Sequence, residues 1–379
     1  MDFELPGQSD ERRLSVRKWL AEHPNPSADD LADAGFVAPH WPAPWGLDAD
    51  AIFQIIIDEE LRAAKVIRPN NPIGIGWAGP TILAAGSEEQ KSRYLGPILS
   101  GQEVWCQLFS EPEAGSDLAS LSTRGTLDGD TYVISGQKIW TTFGHQASFG
   151  ILIARTDFNS DKQHGITYFI CPMDSPGITI TPIVDMTGQH AFNQVFFDDV
   201  RIPAENVVGE VNHGWSLAKV TLANERVSLS SGGAVWGAGP TVYDLINLVR
   251  SSGGIADPVM RQRIAAIYTE AEILKLIRYR TITASIRGIA PGPETSVRKL
   301  MSDEHGKSLL NLGKDLALAG GMVAGSAPLE TDGLPSDGIS GFSWGYAYLF
   351  SPALTIGGGT AEVQRNIIAE RVLGLPRDY

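Results

Sequence analysis

Apolar and polar positions recur with two different periods along the chain, and the change of period divides it into three stretches. Over residues 10–104 the apolar side chains have helical spacing, which predicts helices over 11–23 and 51–64. A further helix is expected after Ser87, a suitable N-cap for the polar run that follows it. From about 105 to 209 the period is two, and short β-branched or aromatic runs predict strands at 132–134, 149–153, 166–170 and 195–197.

Helical spacing returns over residues 214–379. Five helices are predicted there, at 215–231, 242–250, 258–286, 294–318 and 360–372. Residues 324–344 are rich in Gly, Pro and polar side chains, and a long loop is expected, which is uncommon unless it has a function. The order of elements predicts an α+β protein with an N-terminal helical domain (1–104), a middle β domain (105–212) and a C-terminal helical bundle (213–379).

Length, charge and cysteine content narrow the classes of function. A chain of 379 residues exceeds what one hydrophobic core usually supports, so several domains are expected. The formal net charge of −14 argues against nucleic acid or an anionic membrane as a partner. No apolar run reaches the length of a membrane span, and the acidic N-terminus shows no signal peptide, so we expect a cytoplasmic protein. Cys106 and Cys171 fit neither a disulfide framework nor a metal site, and we expect buried free thiols and no metal.

Two short motifs carry most of the chemical information. The first, LFSEPEAGSD at residues 108–117, offers the hydroxyls of Ser110 and Ser116 and the unhindered backbone of Gly115. Such groups suit the close approach of a polar, phosphate-bearing ligand.

The second motif, GQKIWTT at residues 136–142, lies on a strand-like run. Trp140 and Thr142 are two positions apart, so both are predicted to face the same side, which places a flat apolar ring beside a hydroxyl. A planar cofactor fits such a surface. The alternative is that Trp140 is a core aromatic and Ser110 a hydroxyl at a strand end.

Together the two motifs resemble the flavin-binding signatures of the acyl-CoA dehydrogenase family. Residues 86–101 and 196–209 are also similar to family segments, and the resemblance extends along nearly the whole chain. It implies a helical N-terminal domain, a β-barrel-like middle domain and a C-terminal helical bundle. It also implies FAD as cofactor, an acyl-CoA substrate, an electron-transfer flavoprotein as acceptor, and a tetramer that is either homomeric or built with a related subunit.

The resemblance also assigns cofactor contacts. It places Gln107, Phe109 and Ser110 at the isoalloxazine edge, Gly115 and Ser116 near the pyrophosphate, and Trp140 and Thr142 beside the ring. It places Gly321 near the adenine, and Thr360 and Glu362 at a helix start, where free N–H groups suit a pyrophosphate.

Two positions depart from the family pattern on the adenine side. Ala317 stands where a glutamine is often found, and Arg250 is followed by Ser251-Ser252-Gly253-Gly254 without the usual aromatic residue. Arg250 is therefore expected to be a helix-end residue that satisfies carbonyl groups.

The main departure from the family pattern concerns the catalytic base. Gly358 stands where many members carry the catalytic glutamate; its N–H is implied to hold the thioester oxygen together with a flavin ribityl hydroxyl. Some members instead carry the base on a helix before an arginine, and Glu225-Arg226 matches that place. We expect Glu225 to be the base, and Ser116 and Arg226 to contact the substrate. The alternative is that Glu225 is a solvated helix residue bonded to Ser228.

The resemblance thus implies α,β-dehydrogenation of an acyl-CoA thioester, in which Glu225 removes the α-proton and the β-hydrogen passes as hydride to flavin N5. Two alternatives remain. The chain is a non-catalytic or half-site structural subunit of a heteromeric acyl-CoA dehydrogenase, or it is a flavoprotein oxidase on the same scaffold with a non-CoA substrate.

Overall fold

The computed structural model describes residues 6–229, 234, 239–286, 292–322 and 343–377. Its first part is helical, as the spacing of apolar residues predicts. The α-helices are α1 Glu11–Glu22, α2 Ala28–Asp33, α3 Ala51–Ala63, α4 Gly79–Ala85 and α5 Glu88–Ser100, and a π-helical turn, Gly74–Ala78, precedes α4. Ser87 caps α5 in a reciprocal capping box with Gln90, so the expected start of this helix is confirmed.

Seven strands follow in one sheet. They are β1 Trp105–Leu108, β2 Arg124–Asp128, β3 Thr131–Thr142, β4 Phe149–Arg155, β5 Ile166–Pro172, β6 Ile178–Ile183 and β7 Phe192–Pro203. The strand order is β1-β4-β2-β3-β7-β6, with β5 paired to β4. All four strands predicted from the sequence are present, whereas the short β1, β2 and β6 were not predicted.

The remaining described residues are again helical. The helices are α6 Gly214–Leu229, α7 Val242–Ser251, α8 Pro258–Ile286, α9 Thr295–Leu316, α10 Trp344–Phe350 and α11 Ala361–Ile367. A π-helical turn, Ile368–Val372, extends α11, and 3-10 turns lie at Leu318–Met322 and Ser351–Thr355. The loop expected over 324–344 lies outside the described residues up to 342, and Trp344 begins a helix instead of ending a loop.

The expected α+β fold class, with a helical N-terminal domain, a β half-barrel in the middle and a helical C-terminal domain, is therefore confirmed. By contacts the chain divides into two compact units: the first comprises Phe3–Ile183 and His190–Asn224, and the second Met1–Asp2, Val184–Gln189 and Glu225–Tyr379. Helix α6 begins in the first unit and ends in the second. The boundaries proposed at 104/105 and 212/213 stay predictions.

Each unit has its own apolar packing. In the first, one cluster joins the N-terminal helices to the sheet around Trp41, Trp105 and Tyr168, and a second fills the sheet around Phe169 and Val195. In the second, helices α7, α8 and α9 pack through five buried side chains, Val242, Leu245, Ile267, Leu309 and Leu312.

Two further sequence expectations concern thiols and metals. Cys106 and Cys171 are buried and free, as expected. Within the described ranges, no group of three or more His, Cys, Asp or Glu side chains is arranged to hold a metal ion. No described helix is both long and apolar enough to cross a bilayer.

Candidate functional site

A buried ion pair joins the two sequence motifs in the first unit. Lys138 of β3 is fully buried, and its Nζ donates to Glu111 Oε1 at 2.8 Å and to the carbonyl oxygen of Phe109 at 2.9 Å. Glu111 also accepts from the Ser122 N–H and hydroxyl and from the Thr123 N–H, at 2.6–2.9 Å. The first motif is thus fixed to the strand that carries the second.

The same contacts set the charge of this pair. Burial opposes ionisation of Glu111, but the Lys138 ammonium and the donors at Ser122 and Thr123 outweigh it and lower the pKa of Glu111 to about 2. Both residues stand inside the motifs, yet the sequence assigned neither a role. The sequence did offer a signal for this pair, because a lysine stands inside a predicted strand and a glutamate inside the neighbouring turn motif.

The backbone at the second motif is irregular. A bulge interrupts the pairing of β3 with β7 between Lys138 and Thr141, and Trp140 has a left-handed φ of +61°. Regular alternation is therefore broken between Lys138 and Thr141, which are three apart and both buried. From Trp140 to Thr142 the alternation holds, with the buried Thr141 between the more exposed Trp140 and Thr142. Asn193 of β7, also fully buried, donates to the Thr141 carbonyl oxygen at 3.0 Å and so supports the bulge.

Trp140 itself is 57% exposed, and its ring contacts Phe192 edge-on with centroids 6.0 Å apart. The alternative that Trp140 is a core aromatic is thus wrong. Left-handed backbone is costly for a bulky residue and is over-represented at functional sites. A large exposed ring held in this way is suited to cover the flat face of a ligand, with the half-buried Thr142 two positions further on.

The other predicted flavin contacts of the first unit lie on β1 and after it. Gln107 is on β1 and half-buried; Phe109 is buried, with its ring edge-on to Tyr168. The backbone of Ser110 accepts a hydrogen bond from Ile139 N at 2.9 Å, a second link between the motifs.

Gly115 and Ser116 are exposed at the turn of the first motif. A Cβ built on Gly115 would have no heavy atom within 4 Å, so a ligand has room to approach this backbone. An open glycine backbone, the exposed Ser116 hydroxyl and an exposed indole together fit a phosphate-bearing planar cofactor such as FAD.

In the second unit, Thr360 is the N-cap of α11 and accepts from Val363 N at 3.3 Å. Glu362 is exposed in the first helical turn, so the predicted helix start is confirmed. Gly321 is buried, and a Cβ there would lie 2.2 Å from the Lys314 carbonyl oxygen, so packing alone requires a glycine.

Arg250 lies in the last turn of α7, as expected. The carbonyl groups there accept backbone N–H groups, from Gly253 to Arg250 and from Gly254 to Val249. Both glycines have φ near +85°, so the left-handed chain reversal satisfies these carbonyls, which had been expected to bond to the Arg250 side chain.

Glu225 and Arg226 lie near the end of α6. Glu225 is only 8% exposed, so the alternative of a solvated helix residue is wrong. Burial lowers the pKa of Arg226, the Glu225 charge opposes this change, and Arg371 adds to it. A buried carboxylate next to a half-buried arginine on one helix is costly to desolvate in an ordinary structural role, which makes this pair a functional candidate.

Gly358 has a φ of +69° and Gly359 a φ of +91°, in the left-handed region that favours glycine. Both backbone carbonyls accept hydrogen bonds from Nε2 of Gln364, at 3.1 Å each. Gln364 is fully buried and was not singled out in the sequence. The predicted residues thus fall into two groups: Gln107, Phe109, Ser110, Gly115, Ser116, Trp140 and Thr142 in the first unit, and Glu225, Arg226, Gly321, Gly358, Thr360 and Glu362 in the second.

Comparison with known proteins identifies the scaffold. Residues 10–102, 106–200 and 212–373 match the N-terminal, middle and C-terminal domains of acyl-CoA dehydrogenases. Acyl-CoA dehydrogenase IpdE1 of Mycobacterium tuberculosis is 36% identical over 374 residues, which cover 98% of this chain and 91% of the relative. The chain belongs to the acyl-CoA dehydrogenase family. This is a family of FAD-dependent oxidoreductases.

Other relatives differ in length and assembly. Acyl-CoA dehydrogenase FadE34 of M. tuberculosis is 41% identical over 347 residues, but the chain spans only 46% of that relative's length. Among solved structures, the Tcur3481-Tcur3483 steroid ACAD has a TM-score of 0.81 at 27% identity, and the ChsE4-ChsE5 complex of M. tuberculosis 0.78 at 29%. Both comparisons cover 100% of each chain.

Proposed function

We propose that the chain catalyses the FAD-dependent α,β-dehydrogenation of an acyl-CoA thioester, with Glu225 as the base. The observation that carries this proposal is the burial of Glu225, combined with a glycine at position 358. Glu225 is a carboxylate shielded from bulk water, and such a group is a suitable general base for the α-proton. Gly358 has no side chain for this task, so the chain must supply its base from another segment.

The cofactor would be held by the open backbone of Gly115, the hydroxyls of Ser110, Ser116 and Thr142, and the exposed Trp140 ring. Backbone groups at Gln107 and Phe109 would meet its ring edge. Taken by themselves, Gly321 and the start of α11 at Thr360 and Glu362 would suit the outer half of such a cofactor. When bound, FAD would supply the oxidising power, as the acceptor of a hydride from the substrate.

The chain's own residues handle the proton and the thioester oxygen. Glu225 would take the α-proton, and the Gly358 N–H would donate to the thioester oxygen as negative charge develops there. No described residue accepts a hydrogen bond from the Gly358 N–H, which leaves this donor for a ligand. Arg226, next to the base, would contact the substrate. The substrate contact predicted for Ser116 belongs to the first unit and stays a prediction.

Substitution of the base tests this mechanism. Glu225→Gln is nearly isosteric and should retain flavin and ligand binding, while flavin reduction by substrate falls about 10²–10⁴-fold, the usual contribution of general base catalysis. Stopped-flow absorbance of the bound flavin measures this rate. Reduction at nearly the wild-type rate would show that Glu225 is structural and that the base lies elsewhere or on a partner chain.

A second proposal concerns assembly and substrate class. The ChsE4-ChsE5 and Tcur3481-Tcur3483 structures, both similar along their whole length, are complexes of two named chains. They favour assembly of this chain with a related subunit, and the first favours a steroid-type acyl-CoA substrate. We further propose that the assembly is a tetramer and that an electron-transfer flavoprotein is the acceptor, as the family resemblance implies.

Expression with and without a candidate partner tests the assembly, with light scattering and visible absorbance as readouts. A colourless chain that gains flavin only with its partner would identify a structural or half-site subunit. Anaerobic titration with short, long and steroid acyl-CoA thioesters tests the substrate. If none bleaches the flavin and oxygen reoxidises it quickly, the protein is an oxidase with another substrate.

A further inference from the structure

The segment that carries Gly358 contains three consecutive glycines, 357–359, and so has little intrinsic preference for one conformation. An N–H that must point at a thioester oxygen requires a fixed peptide plane, since such donors act through geometry set before the reaction. The chain around Gly358 must therefore be held by other residues.

Upstream of Gly358 the backbone is anchored twice. Lys299 of α9, fully buried, donates from Nζ to the Leu354 carbonyl oxygen at 3.0 Å. Gly357 N donates to the Ala353 carbonyl oxygen, also at 3.0 Å. These bonds fix the chain up to the N–H of Gly357.

Downstream of Gly358, the side-chain amide of Gln364 holds the backbone. Its two N–H bonds go to the carbonyl oxygens of Gly358 and Gly359, and its backbone N–H bonds to the Thr360 carbonyl oxygen at 2.9 Å, so the helix fixes its position. Only one peptide unit, with the Gly358 N–H, lies between the upstream and downstream anchors.

We propose that Gln364 is a positioning residue that aims the Gly358 N–H at the thioester oxygen of the substrate. The inference rests on the proposed function and adds a residue to it. Gln364 touches neither substrate nor cofactor in this role; it acts by fixing ψ of Gly358 and both dihedral angles of Gly359. A left-handed glycine pair without this amide would be free to rotate the donor away.

The chain offers a matched control in the first unit. Gln90 is also a buried glutamine, and its Nε2 donates to two backbone carbonyls, those of Glu205 at 2.8 Å and Val207 at 2.9 Å. Gln90→Met and Gln364→Met each remove two hydrogen bonds from a side-chain amide to backbone carbonyls and keep similar volume. Gln90→Met also removes the capping bond that Gln90 Oε1 accepts from the Ser87 N–H at 3.1 Å, so its loss of stability is an upper reference. Both variants should lower the melting temperature, but only Gln364→Met should alter the site.

The decisive readout is the carbonyl stretch of a bound acyl-CoA labelled with ¹³C at the thioester carbon, measured by infrared difference spectroscopy. We would use the purified flavin-loaded protein, with any co-purifying partner, in the Glu225→Gln background so that the thioester does not react. The probe is octanoyl-CoA or, if it binds more tightly, a steroid acyl-CoA. Gln364→Met should move the band towards its position in water, and Gln90→Met should leave it unchanged.

Steady-state kinetics of variants that keep the wild-type Glu225 give a second readout. Gln364→Met should lower kcat by up to about 10²-fold, as for a displaced oxyanion donor, with a smaller change in KM. Gln364→Glu should have a still lower kcat at high pH, because a carboxylate repels both carbonyl oxygens. As the pH falls, the protonated acid can donate one hydrogen bond, so its labelled band should return partly towards that of the protein with Gln364.

The outcomes separate this proposal from the proposed function. If Gln364→Met leaves the labelled band and kcat unchanged while the protein is destabilised as in Gln90→Met, Gln364 is only structural and the positioning role is overturned. If Glu225→Gln retains the wild-type reduction rate, the assignment of the base fails, and the labelled band is then measured with the corresponding 2-enoyl-CoA, which is already dehydrogenated at the α,β bond and still reports on the Gly358 donor. Should Gln364→Met fail to fold, Gln364→Glu across pH decides the question.

Discussion

Two buried lysine–carboxylate pairs, one in each unit, use similar geometry with opposite electrostatic results. Lys138 bonds to Glu111 and to a backbone carbonyl at Phe109; Lys299 bonds to Asp303 and to a backbone carbonyl at Leu354. Both lysines are fully buried, and each carboxylate side chain is 5% exposed. Yet the pKa of Glu111 is lowered to about 2, whereas burial raises the pKa of Asp303 to about 6 against the pull of Lys299.

The number of hydrogen-bond donors explains the difference. Glu111 accepts from Lys138, twice from Ser122 and once from Thr123, while Lys299 is the single donor to Asp303 among the described residues. Each donor stabilises the ionised form, and burial alone destabilises it. The comparison teaches that burial and a paired lysine do not fix the charge of a carboxylate; backbone donors decide it.

The largest expected effect comes from breaking the first pair. Glu111→Gln leaves the Lys138 ammonium buried without its counter-charge, and should cost about 3–5 kcal/mol of stability. Urea unfolding near pH 6.5, with hydrogen exchange resolving the two units, measures it. Glu111→Gln combined with Lys138→Met should recover much of the loss; a single variant as stable as wild type would mean that the pair contributes little.

The second expected effect concerns stability as a function of pH, which the two carboxylates should change in opposite directions. Glu111, whose pKa is depressed in the folded state, contributes stability that is present above its unfolded pKa and is lost as pH falls through about 2. Asp303, whose pKa is raised, contributes stability that is present below its unfolded pKa and is lost as pH rises through about 6.

Between pH 3 and pH 6 these contributions should change by about 2 kcal/mol each, in opposite directions. Relative to wild type, Glu111→Gln should therefore lose stability over this interval, while Asp303→Asn should gain it. Local hydrogen-exchange protection at pH 3, 4.5 and 6 measures both. Parallel slopes for the two variants would refute the explanation by donor count.

A smaller effect is expected for Asp303→Asn at neutral pH. Because ionised Asp303 is poorly solvated in the fold, its replacement should cost at least about 2 kcal/mol less than Glu111→Gln does. Unfolding midpoints of the two variants in one buffer at pH 7 give the comparison. Equal losses would show that pairing with lysine dominates over the backbone donors.

The smallest effect on stability is expected for Trp140→Ala. The ring is mostly exposed and contacts Phe192, so its loss should cost less than about 1 kcal/mol, although it lies on the strand that Lys138 anchors. The variant should nevertheless retain less flavin through gel filtration, and the visible spectrum of the flavin that stays bound should change. Full retention with an unchanged spectrum would show that the ring does not cover the flavin.

The sequence alone determined the fold class and most long elements, because helical and strand periods are local properties. Residues 51–64 and 258–286 were predicted within one residue of α3 and α8, and Ser87 and Thr360 marked helix starts correctly. Short strands such as β1 and β2 were not predicted, since four or five residues hold too little periodicity. The motifs also gave the family, and Glu225 was selected because Gly358 has no side chain.

Only the tertiary structure decided how these residues are held and charged. Glu111 and Lys138 are 27 residues apart and Lys299 and Leu354 are 55 apart, so no local pattern reports their contacts. The bulge at Trp140 depends on pairing with β7, and the burial of Glu225 on packing around α6. The role of Gln364 emerged from two hydrogen bonds to glycine carbonyls, because a polar residue on a short helix is distinguished only by what its side chain reaches in the folded chain.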